Sequence, residues 1–167
     1  MYIILIAIIV IVVVYLGYST FKTLKEYNRI NKAKISFYET YRLTGLPLVS
    51  FDNNGKTWNF LLDTGSMDSL IDEQTLEGMN YKVLDQKAKL FGIEGNDRHV
   101  NFCSIDLKYK EQNFDTEFVI SDLQSAFKIL KDEYNIQLHG MIGGKFFKKY
   151  KYIINFDELI AYSNKKK

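Results

Sequence analysis

The chain has one cysteine, Cys103, and one proline, Pro47. A single cysteine excludes any disulfide within the chain, which fits a reducing compartment. One proline and ten glycines in 167 residues exclude a low-complexity or disordered chain. Histidine is nearly as scarce. His99 and His139 stand apart, and no cysteine and histidine cluster has metal-ligand spacing, so the sequence offers no metal site. It has no glycine-rich phosphate loop and no internal repeat, and nothing in it calls for a cofactor. A net charge of +2 gives no case for a nucleic-acid partner.

Charge itself is missing from Met1 to Phe21, "MYIILIAIIVIVVVYLGYSTF". That run is long enough to cross a hydrocarbon core, which takes roughly 20 residues of helix. Tyr2, Tyr15 and Tyr18 lie near its ends, where amphipathic rings favour the interface. A cleaved signal peptide would carry a charged n-region, a shorter apolar core and a small-residue cleavage site. None is clear here, although Gly17 and Ser19 are small, so the expectation is a retained anchor over residues 1–21. Lys22, Lys25, Arg29, Lys32 and Lys34 follow, opposed only by Glu26. Positive flanks stay cytoplasmic. The expected arrangement is a single pass of the cell membrane, a basic juxtamembrane linker over 22–44 and a cytoplasmic domain over 45–167.

Beyond the linker the pattern is mainly β. "LPLVSF" and "KTWNFLLD" flank "DNNG", and Asn54-Gly55 is a favoured hairpin turn because both residues tolerate positive φ. "KAKLFGIEG" and "RHVNFCSIDLKY" surround a turn at Gly95-Asn96-Asp97, and "NFDTEFVIS" follows. Short strands at this spacing predict a sandwich or small barrel. "SDLQSAFKILKDEY" predicts a helix through Leu123, Phe127 and Leu130, with Ser121 as its cap, and "GKFFKKYK" a shorter one. "YIINFDELIAYS" reads as two strands around Asp157-Glu158. Cys103 reads as a small packed side chain and Trp58 as core or interface. Asp68 and Asp72 read as solvated or capping, and the Lys145–Lys151 run as an exposed helix face.

One stretch fits none of these roles. In "FLLDTGSMDSLID", Phe60, Leu61 and Leu62 drive a strand inward, and an acid, Asp63, then stands at its end. Thr64 and Ser66 offer hydroxyls, and Gly65 permits a tight turn and a close backbone approach. Such a setting holds a carboxylate in place and tunes it.

"LLDTGS" resembles the active-site motif of aspartic proteases. A later hydrophobic-hydrophobic-Gly element, Met141-Ile142-Gly143, precedes a short helix and a final hairpin, as in single-lobed, retropepsin-like members of that family. Between the two, "KLFGIEGNDRHV" is similar to the flap hairpin over the substrate. The resemblance spans roughly residues 45 to 163. It implies a single-lobed, retropepsin-like acid protease barrel with short helices, preceded here by the N-terminal transmembrane helix. It implies that Asp63 is the catalytic aspartate, that Thr64 ties the two active-site loops across a dimer, that the Gly65 N–H contacts the carboxylate and that Ser66 lies behind it. Gly92, Ile93, Glu94 and Gly95 match the flap tip, and Met141, Ile142 and Gly143 the strand beside the active site. With no second Asp-Thr-Gly in the chain, a working site requires two copies, each supplying one Asp63. The implied activity is a membrane-anchored aspartic endopeptidase, homodimeric, acting on a protein or peptide substrate without metal or cofactor. Met67-Asp68, Lys145, Glu94 and the long stretch from Ser121 to Gln137 depart from the family pattern. Two other readings stay open. One is a catalytically silent, membrane-tethered dimerisation or peptide-binding module of the same fold. The other is an unrelated β-domain in which DTGS is a polar turn.

Overall fold

A computed structural model describes residues 2–32, 34–91 and 97–163; for 3–5, 7–8, 26–32, 86–91 and 97–100 only the backbone course is described. The chain divides into two units, Met1–Lys34 and Ile35–Lys167.

The first unit is one helix, α1 (Tyr2–Lys32), which runs unbroken from the uncharged segment into the basic cluster. Its apolar side chains from Ile9 to Leu16 are exposed. Among the described residues, no helix is long and apolar enough to cross a membrane. The side chains described in α1 run without a gap only from 9 to 25, a stretch shorter than the roughly 20 residues a span takes.

The second unit opens at Ile35, inside the stretch read from the sequence as linker. Its elements in chain order are β1 (Ile35–Ser36), α2 (Tyr38–Thr44), β2 (Leu48–Asn53), β3 (Lys56–Leu62) and β4 (Ser69–Asp72). A 3-10 turn (Glu73–Gly78), β5 (Lys82–Phe91), β6 (Asp97–Tyr109), β7 (Gln112–Ser121) and α3 (Gln124–Tyr134) follow. β8 (Gly140–Ile142), α4 (Gly144–Tyr150), β9 (Tyr152–Asn155) and β10 (Ile160–Ser163) complete it.

Six strands pair in the order β2-β3-β8-β4-β7-β6, and β6 returns to β2 where Asp52 faces Lys108. The sheet is therefore a closed barrel, which leaves its member strands without free edges. β5 extends outward from β6. The chain is mainly β with short helices in this unit. β2 and β3 form the expected hairpin, with Asn54 at φ 57° and Gly55 at φ 73°. The pairing around β8 is mixed: parallel to β3 and antiparallel to β4, which in turn runs parallel to β7. A separate three-stranded sheet joins β1, β10 and β9, with Ile35 opposite Ala161. Ile35 and Phe37 are buried, so residues 35–44 are part of the folded unit.

Alternation fills the barrel. Cys103, Ile105 and Leu107 point inward from β6, and Phe114, Thr116 and Phe118 from β7. Phe51 is the hub, 5.8 Å from the Phe60 and Phe114 ring centroids in edge-on contacts. Such pairs add about 0.5–1.5 kcal/mol beyond the area they bury. Cys103 is fully buried, and that burial pushes its thiol up to about 12, away from the reactive thiolate. A second apolar cluster packs Leu123, just ahead of α3, and Phe127 and Leu130 of α3 against Leu48 and Leu138.

The start of α3 differs from the sequence expectation. Ser121 does not cap the helix, because it still belongs to β7. The Leu123 N–H donates to the carboxylate of buried Asp72 at 3.0 Å, and the Gln124 N–H to Asp122 at 3.1 Å. Asp72 also accepts from Gln124 Nε2 at 2.5 Å, so a fully buried acid fastens the helix start to the end of β4.

Candidate active site

Asp63 leaves the barrel at the end of β3, one residue past Leu62. Its backbone N–H donates to the Ile142 carbonyl at 2.9 Å, which extends the β3–β8 ladder to the acid itself. Its Oδ1 accepts the Gly65 N–H at 2.9 Å. The side chain is half-buried, while Thr64, Gly65 and Met67 are exposed. The carboxyl is thus held by its own loop with one oxygen engaged, and the apolar run behind it lies in the core.

The loop 63–68 is seated against the other motif. Ser66 and Met67 carbonyls accept the N–H groups of Gly144 and Lys145 at 2.7 and 3.0 Å. The Ser66 hydroxyl turns back to the Asp68 carbonyl at 2.7 Å. Gly143 N–H donates to the Ser69 hydroxyl at 3.0 Å. Gly143 has no room for a side chain: a Cβ there would run into the Asp68 carbonyl and come within 2.9 Å of the Ser69 nitrogen. Gly140, at the other end of β8, is equally constrained by the Leu70 carbonyl and the Phe60 ring. Glycine at both ends lets β8 thread between β3 and β4.

Of the sequence candidates, Asp63, Thr64, Gly65, Ser66, Met141, Ile142 and Gly143 therefore gather around one loop crossing. Gly92, Ile93, Glu94 and Gly95 lie outside the described residues. The described strands before and after them in sequence, β5 and β6, pair in register from Phe91–Asp97 back to Lys82–Ser104 with a bulge between Leu84 and Lys87. Two departures from the motif pattern meet each other: Lys145 Nζ pairs with the Asp68 carboxylate at 2.5 Å. The lysine is more than half exposed, so the pair contributes little to stability, but it offsets the charge of the second acid in the 63–68 loop.

Sequence reasoning did not single out Ser69, whose hydroxyl receives Gly143. It also left Asp72 and His139 with bland roles. No local signal marks them, because each acts on a residue about 50 to 80 positions away. Among the described residues, no group of three or more His, Cys, Asp or Glu side chains is arranged to hold a metal.

No protein-family model matches the chain, and no curated protein matches it. What the fold and site define is a closed six-stranded β-barrel with an acid-bearing loop braced by a glycine crossing.

Proposed function

We propose that the chain is a membrane-anchored aspartic endopeptidase that works as a two-fold homodimer. The observation that carries this reading is Asp63. It stands at the mouth of a barrel strand, its backbone fixed to Ile142 and its Oδ1 to the Gly65 N–H, with a glycine crossing beneath. A polar surface turn has no need of that bracing. The exposure of Thr64 and Met67 beside a half-buried acid fits a loop whose remaining surface is covered by a second copy.

In the dimer the two Asp63 carboxyls share one proton, since neighbouring like charges disfavour double ionisation. The ionised one takes a proton from water, whose oxygen attacks the scissile carbonyl carbon. The protonated one donates to the carbonyl oxygen. The tetrahedral adduct then collapses: the C–N bond breaks, and the amine leaves with a proton returned by the dyad. The same scheme in aspartic proteases is a standard case of carboxyl pairing.

Dimerisation makes the activity depend on concentration. For the full chain in detergent, hydrolysis of a peptide library per mole of protein should rise with protein concentration until dimers saturate, in step with sedimentation. Thr64→Ala should shift that curve to higher concentration, because a two-fold axis removes the hydroxyl's bond twice, at about 0.5–1.5 kcal/mol each. Concentration-independent hydrolysis by a chain that sediments as a monomer would overturn the paired site.

The anchor reading rests on the uncharged start of α1, on its exposed apolar side chains and on the basic cluster that follows within the same helix. With the barrel on the cytoplasmic side, a reporter fused after Lys167 that works only outside the cytoplasm should stay silent. A strong signal would reverse the topology.

A further inference from the structure

The ring of His139 does work usually left to backbone. Asn59 in β3 donates its N–H to His139 Nδ1 at 2.9 Å, while the His139 N–H donates to the Asn59 carbonyl, also at 2.9 Å. The two bonds form a closed ring one residue ahead of the first parallel partners, Phe60 and Gly140. The Asn59 amide adds a bond to the Gln137 carbonyl at 3.0 Å, and the Asp72 N–H donates to the His139 carbonyl at 2.9 Å. The imidazole thus stands where a backbone carbonyl would prolong the ladder between β3 and β8. Those strands carry Asp63 and Gly143 at their opposite ends.

A ring nitrogen that accepts an N–H cannot also carry a proton, so the neutral ring keeps its hydrogen on Nε2. The imidazolium has an N–H on both nitrogens. Protonation would set one N–H against another and leave a half-buried backbone donor without an acceptor. We propose that His139 is a proton-released latch: neutral, it closes the β3–β8 ladder beneath the Asp63 loop, and protonated, it opens that ladder and loosens the footing of the loop.

The charged groups around the ring are Asp72 from β4, Glu77 from the 3-10 turn and Lys131 from α3, which line the same hollow, with Trp58 edge-on at 5.0 Å. Burial holds His139 below its ordinary value of 6.5 and outweighs two upward pulls, from the Asn59 backbone and from the Asp72 carboxylate. That carboxylate is already engaged by Leu123 and Gln124, which leaves it less able to compensate an imidazolium. The folded chain therefore binds this proton less readily than the unfolded one. The latch's stabilisation is complete above 6.5 and is lost as pH falls through the folded value.

The test is NMR on the full chain in detergent, following the His139 ring nitrogens and the exchange protection of the Asn59 amide. The ring should be protonated on Nε2 at neutral pH and should titrate below 6.5. Between about pH 7.5 and pH 5, Asn59 protection should be progressively lost while that of Phe118, on the other side of the barrel, holds. His139→Asn carries an acceptor oxygen at the Nδ1 position and does not titrate, so its Asn59 protection should stay level. Titration at or above 6.5, a proton on Nδ1 at neutral pH, or equal pH dependence in both proteins would overturn the latch. If His139→Asn does not fold, the wild-type ring titration and tautomer decide alone. None of these readouts involves hydrolysis, so the latch and the proposed chemistry can fail separately.

Discussion

Asp63→Asn should lose peptide hydrolysis by roughly 10²–10⁴-fold, the usual contribution of a positioned proton-transfer group. The loss should lie toward the upper end, since one substitution removes both members of the proposed pair. The fold should survive. An asparagine keeps an oxygen where Oδ1 accepts the Gly65 N–H at 2.9 Å, and the backbone bond to Ile142 does not involve the side chain. At a half-buried position the stability change should stay within about 0.5 kcal/mol. Mixing gives a sharper readout. With wild-type and Asp63→Asn chains randomly paired in equal amounts, activity should fall to about a quarter of that of all-wild-type protein, because only one dimer in four keeps both acids. A fall to about half would mean that each chain works alone. Full activity in Asp63→Asn would end the aspartic mechanism for this chain, whereas peptide binding without hydrolysis by the wild-type chain would favour the catalytically silent module.

Gly143→Ala should be the most damaging small substitution near the site. The atoms in its way are the Asp68 carbonyl group and the Ser69 nitrogen, which are backbone and cannot rotate aside. Forcing a methyl into a filled space costs about 1–3 kcal/mol. Displacing the Gly143 N–H from the Ser69 hydroxyl, now 3.0 Å away, adds about 0.5–1.5 kcal/mol. A total near 2–4 kcal/mol is a large share of the roughly 5–15 kcal/mol that holds a domain together. In thermal unfolding it corresponds to a fall of about 5–15 °C. Gly144→Ala is the matched control. Its Cβ would come no closer than 3.4 Å, to the Ser66 carbonyl, and the position opens helix α4. Its melting temperature should hold or rise slightly, as alanine favours helix over glycine. Equal losses for the two would show that the crossing is looser than its geometry implies. Because the crossing seats the loop, Gly143→Ala should also lower hydrolysis in protein that remains folded.

The two substitutions differ in how visible their reasons were. Asp63 stood out because an acid after Phe60-Leu61-Leu62 departs from the ordinary strand pattern, and the proposed function takes that departure as the mark of a site. Gly143 was legible only through the motif resemblance. The collision that makes it glycine comes from Asp68 and Ser69, far away in sequence.

The same division runs through the fold. The sequence alone determined whatever depends on neighbours along the chain. Asn54-Gly55 set the β2–β3 turn, the alternation of Cys103, Ile105 and Leu107 set the buried face of β6, and Phe127 and Leu130 set the buried face of α3. These signals are local because turn dihedrals and side-chain periodicity need only a few consecutive residues. Tertiary structure decided the rest. β4 and β8 have four and three residues, too few to show a period, and they are strands because β3 and β7 offer them parallel partners. The ends of the unit meet where Ile35 pairs with Ala161, so residues 35–44, placed in the linker by the expected domain bounds, belong to the folded unit. Asp72 became a buried anchor because the Leu123 N–H arrives to meet it, and His139 became a ladder partner because Asn59 does. A carboxylate or imidazole takes its role from the groups brought to it, and packing, not sequence spacing, brought these.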